Sequence, residues 1–202
     1  MTTITVPELV EMLVQAPCQR RYIMLVGTQG SGKSTIAKAI RDRGFKRLSY
    51  DKLAKRRPWL SESDLDKTFA AWLDKRLAKG CNIVDDNLNT EEKVRRQTLA
   101  KVRKCGYEVI LLHLDMPLAV CQEQNLRRER QAPAWAVEKV WRRFNESGLP
   151  TSAEGTIIRL NKVDAEGDCE FERIESTYVA AAPPSQSWLL GILTWFGGLL
   201  RT

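Results

Sequence analysis

The stretch Gly27-Thr28-Gln29-Gly30-Ser31-Gly32-Lys33-Ser34 constrains this chain most, because it satisfies G-x-x-x-x-G-K-[ST] at every fixed position. Tyr22–Val26 before it reads as a buried strand and Ser34–Ile40 after it as a helix, the context this pattern requires. Glycines there let backbone N–H groups curl around a phosphate, and the helix N-terminus adds its positive dipole end. In such loops the lysine, here Lys33, reaches β- and γ-phosphate oxygens, and the hydroxyl, here Ser34, coordinates Mg²⁺. The expected ligands are ATP and Mg²⁺, with Gly27, Thr28, Gln29, Gly30, Ser31, Gly32, Lys33, Ser34 and Thr35 as the nucleotide-binding set.

The 202 residues suit one α/β domain with a tail, and 43% hydrophobic residues supply a sizeable core. A net charge of +7 allows a polyanionic partner beyond ATP, or simply solvated Lys/Arg faces. The five cysteines, Cys18, Cys81, Cys105, Cys121 and Cys169, are scattered without C-x-x-C spacing. They read as reduced thiols, not a disulfide framework or zinc site. His113, the one histidine, lies in an apolar run and reads as structural. Glu8 and Glu11 stand where a signal peptide would be basic, so a cytoplasmic location is expected.

The order of elements is α/β. Pro7–Val14 reads as a short leading helix, followed by strands at Tyr22–Val26 and Phe45–Leu48. Leu65, Phe69, Trp72, Leu73 and Leu77 recur at helical spacing up to a Gly80 stop. Cys81–Val84 is the next strand, and Thr90 is placed to cap a helix over Glu91–Lys104 that ends at Gly106. Tyr107–Leu114 (strand), Leu118–Arg130 and Ala134–Asn145 (helices) and Thr156–Leu160 (strand) complete the pattern. This alternation predicts a P-loop NTPase-like parallel sheet with helices on both faces. The boundaries expected are an N-terminal extension over 1–20, a core domain over 21–178, a linker over 179–187 and an apolar segment over 188–202.

Ligands of such sheets bind at the strand C-terminal ends. Asp51 follows the second strand and Asp85 the third, so both carboxylates are expected there. One carboxylate can take a proton from an attacking hydroxyl while another supports the Mg²⁺ shell; either could instead be a turn or cap residue. Arg127, Arg128 and Arg130 cluster before Pro133 and read as a lid that brings forked cations over a triphosphate, or as a solvated helix face.

These residues together resemble the phage-type polynucleotide 5′-kinase family of P-loop kinases. The likeness rests on the loop, an Asp after the second strand, Asp85-Asp86-Asn87-Leu88-Asn89, and Asn125-x-x-Arg128 before Pro133, and it covers Tyr22 to Leu160. It implies Asp51 as general base, Asp85 as an active-site carboxylate that with Ser34 serves the metal, and Arg128 as the lid arginine. A nucleic acid acceptor, most simply a polynucleotide 5′-OH, is implied with them. Two positions depart from the family. Ala54 stands where it has an arginine three residues after the base, and Asp86 replaces the threonine of its Asp-Thr-Asn-Leu-Asn. Relatives in this group phosphorylate hydroxymethylated bases in DNA, nucleosides or sugars.

Arg41–Arg57 holds eight basic residues against two acidic ones beside Asp51, which suits acceptor phosphates. Trp59 next to it could stack a base or serve as a core or hinge residue. Asp164–Glu175 is instead acidic, six to one. After the Ala/Pro/Ser linker, the thirteen residues Trp188–Leu200 are mostly apolar. As a helix they would extend about 20 Å, short of the roughly 30 Å hydrocarbon core of a bilayer, so no transmembrane span is expected. A packed helix, a partner-binding or self-associating segment and an interfacial anchor all remain open. An ATP-binding switch acting through that segment is the alternative to a kinase.

Overall fold

The computed structural model describes residues 2–15, 20–163, 168–175 and 177. The elements run β1 (Thr2–Thr5), α1 (Val6–Val14), β2 (Arg21–Val26), α2 (Lys33–Asp42), β3 (Lys46–Leu48), α3 (Tyr50–Arg56), α4 (Glu62–Ala78), β4 (Ile83–Asp85) and α5 (Glu92–Lys104). They continue through β5 (Glu108–Leu114), α6 (Leu118–Leu126), α7 (Ala134–Ser147), a 3₁₀ turn at Ser152–Glu154, β6 (Thr156–Val163) and β7 (Asp168–Ile174).

One seven-stranded sheet, ordered β1-β7-β6-β5-β2-β4-β3, organises the chain. The pairs β3/β4, β4/β2, β2/β5 and β5/β6 are parallel. Strand β2 is buried along its whole length, as a central parallel strand covered on both faces must be. Its alternate residues divide the core. Ile23 and Leu25 pack with Leu9, Leu13, Ile36 and Ile40 of α1 and α2, whereas Tyr22, Met24 and Val26 pack with Leu73, Leu77, Leu99 and Val102 of α4 and α5.

Two strands at one side of the sheet, the edge strand β1 and its neighbour β7, depart from the expected parallel arrangement. β7 lies antiparallel to β6, and β1 antiparallel to β7. Asp168–Ile174, from the acidic part of the chain, thus forms a strand between β1 and β6. Its Glu172 faces Arg159 and its Glu170 faces Lys162 across the ladder, and the Arg159–Glu172 ion pair measures 3.6 Å. Residues 2–14 also belong to this sheet and core. The Thr5/Glu8 capping box starts α1, whose Leu9, Val10 and Leu13 are buried.

Three further boundaries differ from expectation. Thr90 does not cap α5; the helix starts at Glu92 with Glu91 before it, after Asn89 turns the chain with φ 51°. α6 stops at Leu126 because the Asn125 amide bonds Ala132 at both N (3.1 Å) and O (2.8 Å), closing a loop over the intervening residues. The residue after β3 enters a helix, α3, that the pattern did not suggest; Ser49 caps it, accepting from Lys52 N. The linker and apolar segment read at 179–187 and 188–202 lie outside the described residues. Among those residues, no helix is long and apolar enough to cross a membrane.

Arg95 is fully buried and joins parts distant in sequence. It pairs with Glu154 through Nε (2.9 Å) and donates to the carbonyls of Asn89 (3.0 Å) and Gly148 (2.7 Å). A buried carboxylate left unpaired is strongly unfavourable. Arg95→Leu is therefore expected to lower unfolding stability by about 3–5 kcal/mol in urea titrations, and Arg95→Leu/Glu154→Leu by less than the sum of the single variants. Additive losses would show that the two side chains do not form a stabilising unit.

Candidate active site

The phosphate loop leaves β2 and enters α2, with Gly32 in the left-handed region (φ 90°) as the helix N-cap. It rests on α6. At Gly30 (φ 79°) a Cβ would lie 2.0 Å from the Cys121 carbonyl oxygen, so only glycine allows this approach. Beside that contact, the Thr28 hydroxyl and the Cys121 thiol are 3.3 Å apart. Burial raises the Cys121 thiol pKa, with the Thr28 hydrogen bond and Lys33 opposing it. The cysteine thus packs under the loop as a thiol.

Lys33 is buried in the loop, its ammonium donating to the Thr28 carbonyl and to Ser31 Oγ (3.1 Å). Burial pulls its pKa from 10.5 down to about 8; Asp86 opposes this most, and Cys121, Arg128 and Asp51 also act on it. The lysine therefore sits within electrostatic reach of both Asp51 and Arg128.

Asp85 and Asp86 point to opposite faces of the sheet. Asp85 pairs in register with Met24 and Leu48, residues of the α4/α5 core. Its carboxylate accepts from Tyr22 OH (2.7 Å) and Asn87 Nδ2. Burial raises the Asp85 pKa, while the hydrogen bonds from Tyr22, Asn87 and Asn89 resist that. One residue further along, Asp86 extends the ladder through its N–H to Leu48 O (2.8 Å) and takes the other face. Ser34 Oγ lies 3.2 Å from both Asp86 carboxylate oxygens. Asp86, and not the expected Asp85, is thus the carboxylate that faces Ser34, because a period of two turns Asp85 away from α2. The departure from the family pattern, an aspartate in place of threonine, was the sequence signal for it.

The remaining residues of Asp85–Asn89 tie the neighbouring parts together. Asn87 Oδ1 accepts from Tyr50 N (2.9 Å) at the start of α3, Leu88 O accepts from Gly27 N (3.0 Å), and Asn89 Nδ2 donates to Leu25 O (2.8 Å). Asp51, in the first turn of α3, is exposed (side chain 76%) and lies 3.9 Å from an Arg128 Nη. Lys55 meets Glu129 at 3.4 Å, so α3 and the loop after α6 touch twice. Asp51, Lys33, Ser34 and Arg128 thus converge at one end of the sheet. Asp85 supports that end from its opposite face.

Ser34 and Asp86 offer oxygen donors, the kind a small hard dication takes alongside water and phosphate. Among the described residues no group of three or more His, Cys, Asp or Glu could hold a metal by itself. His113 is buried on the α5/α7 side, edge-on to Phe144 at 5.2 Å, with neither ring nitrogen hydrogen-bonded. Burial, with Arg159 and Arg95, pushes its pKa down to about 3, so it stays neutral and packs.

The loop, the mostly parallel sheet and the helices on both faces define a P-loop nucleotide-binding protein with a kinase-like fold. Residues 23–148 match the AAA domain family, and the chain belongs to it. No curated protein matches the sequence. The fold is similar to that of a chain in the Pnkp1/Rnl/Hen1 RNA repair complex, with TM-score 0.55, 16% identity and coverage of 66% of this chain and 47% of that one. It is also similar to a chain of the native AvrRxo1-ORF1:-ORF2 complex (TM-score 0.54, 18% identical, 92% of this chain and 66% of that one). The same complex with ATP gives TM-score 0.51 and 19% identity, over 94% of this chain and 67% of that one. At these identities the likeness is one of fold. This chain spans about half to two-thirds of the length of those chains.

Phosphate oxygens beside Lys33 favour its charged form, so the lowered pKa predicts a proton linkage. Well below pH 8 Lys33 is already protonated and binding takes up no proton there. Above about pH 8, nucleotide binding should take up a proton at Lys33 and weaken as pH rises. Calorimetry at pH 9 in two buffers of different ionisation enthalpy measures this uptake. Wild type should show it and Lys33→Met should not; equal uptake in both would assign the linkage elsewhere.

Proposed function

We propose that this chain is an ATP-dependent phosphotransferase whose acceptor is a hydroxyl of a nucleic acid, most simply a polynucleotide 5′-OH. The observation that carries the reading is the exposed Asp51 carboxylate beside Arg128, both within electrostatic reach of the buried Lys33. A nucleotide-binding switch needs the loop and its acid. It does not need a second, solvent-facing carboxylate where an acceptor would approach.

In this reading the loop N–H groups and Lys33 hold the β- and γ-phosphates, and Arg128 covers the γ-phosphate. Asp51 accepts the proton of the acceptor hydroxyl as its oxygen bonds to the γ-phosphorus. The bond from that phosphorus to the β–γ bridging oxygen breaks, giving the phosphate ester and ADP. Charge moving onto the bridging oxygen is met by Lys33 and Arg128. Mg²⁺, held by Ser34 and reached by Asp86, would neutralise phosphate charge and fix the nucleotide's geometry.

The surroundings of Asp51 support a phosphate-bearing acceptor. The Lys52 pKa is lowered chiefly by neighbouring Arg56, then by burial and by Arg47, Arg41 and Arg76, which marks a cationic surface. Trp59, just beyond α3, is exposed and free to stack a base. The fold likeness to a chain of an RNA repair complex is in keeping with this acceptor. One position favours a second acceptor class. Ala54 stands where the resembling family has its arginine, so a hydroxymethylated base in DNA or a small nucleoside- or sugar-like acceptor is the other reading.

Labelled ATP with a panel of 5′-OH RNA, 5′-OH DNA, hydroxymethylated DNA, nucleosides and sugars tests the function. Label should enter a nucleic acid hydroxyl, and transfer to none of the panel would contradict the reading. Asp51→Asn should lower kcat about 10²–10⁴-fold while ATP binding stays near wild type. Loss of ATP binding with unchanged turnover of bound substrate would remove Asp51 from the chemistry. Lys52→Glu/Arg56→Glu should raise the oligonucleotide KM and flatten its salt dependence, leaving the ATP KM unchanged. An unchanged oligonucleotide KM and salt slope would favour the small acceptor.

A further inference from the structure

Arg47 has no part in the steps above, yet it pairs with Asp86, the carboxylate beside Ser34 of the phosphate loop. It comes from the edge strand β3, where it pairs in register with Val84 of β4. Val84 belongs to the α1/α2 side of the core, so the period of two directs Arg47 to the same face as Asp86 and α2. There its guanidinium is 12% exposed and the carboxylate it meets 3%. Arg47 Nε donates to Asp86 Oδ2 at 2.8 Å, and its terminal nitrogen donates to the same oxygen. Ser34 Oγ reaches both carboxylate oxygens, whereas both Arg47 donors meet Oδ2.

This asymmetry has two consequences. A fork of donors on one oxygen fixes the rotation of the carboxylate, which presents Oδ1 beside the Ser34 hydroxyl. The permanent guanidinium charge also cancels the carboxylate's attraction for a dication, in a place too buried for water to screen it. With Lys33 also close, a free divalent ion meets a positive site. Only the phosphates of a nucleotide reverse that sign.

We propose that Arg47 is a positioning residue of the metal site: it orients Asp86 and neutralises it, so that a divalent ion binds together with the nucleotide and not before it. This rests on the reading of Ser34 and Asp86 as the metal-side residues. Its consequence is an order of binding, in which metal arrives as the metal–nucleotide complex.

Mn²⁺ binding to the whole chain, followed by electron paramagnetic resonance with and without ADP, tests it apart from catalysis. Wild type should bind Mn²⁺ weakly alone and much more tightly with ADP. Arg47→Gln, which removes the charge, should bind Mn²⁺ alone at least about ten-fold more tightly, shrinking the effect of ADP by the same factor. Arg47→Lys keeps the charge and loses the fork, so its affinity for Mn²⁺ alone should stay near wild type. Should Arg47→Gln not fold, Arg47→Met carries the same expectation. Wild-type affinity for Mn²⁺ alone in a folded Arg47→Gln or Arg47→Met protein overturns the proposal. A wild-type protein whose Mn²⁺ binding ignores ADP overturns the metal reading itself, whatever Arg47 does.

Discussion

The end of β4 governs the rest of the site. Successive residues of a strand face opposite sides, so Asp85 and Asp86 separate two tasks that adjacent carboxylates could otherwise confuse. Asp85 bonds Tyr22 and Asn87 on the α4/α5 side and stiffens the strand end. Asp86 reaches Ser34 and Arg47 on the side of the phosphate loop. Asn87, Leu88 and Asn89 then fasten the start of α3, the start of the loop and the end of β2 to the same point. A shift of β4 by one residue would exchange the two carboxylates and undo every one of these contacts.

From that node the site is built outward on progressively less buried parts. Lys33 is enclosed, and the contact of Gly30 with the Cys121 carbonyl locks the loop against α6. The Arg128 loop is closed at its base by the Asn125 amide on Ala132, and its contacts with α3 are exposed ion pairs. Asp51 and Arg128 are exposed, and an ion pair of 3.9 Å in water contributes at most about 1 kcal/mol. In the proposed phosphotransferase, that gradient preorganises the nucleotide end and leaves the acceptor end free to adjust. In that reading, the weak Asp51–Arg128 pair would let the arginine exchange a carboxylate for a phosphate at little cost.

Much of this was legible in the sequence because it depends on local chemistry. The phosphate loop, the central strands and the helices after them follow from apolar periodicity and glycine placement; Lys33, Ser34 and Asp51 follow the ends of β2 and β3, and Arg128 follows α6. Asp86 was missed as the loop's partner since composition cannot tell which of two adjacent aspartates a twisted sheet turns towards α2. The helix at Tyr50–Arg56 was hidden by its brevity and its charge; its Ser49 cap was the available signal. β7 was hidden because Glu170 and Glu172 dominate its character, and the pairing of Glu172 with Arg159 shows only once the ladder is formed. Asn125 looked like part of a recognition motif, whereas its side chain closes the loop that carries Arg128.

The most direct measurement is a crystal structure of the chain with Mg²⁺, ADP, aluminium fluoride and a short oligonucleotide bearing a 5′-hydroxyl. The account predicts that the hydroxyl lies within about 2.6–3.2 Å of the Asp51 carboxylate, in line with the fluoride, with Arg128 turned from Asp51 to the fluoride. A hydroxyl held by some other group, with Asp51 facing solvent and Arg128 still on it, would contradict the account.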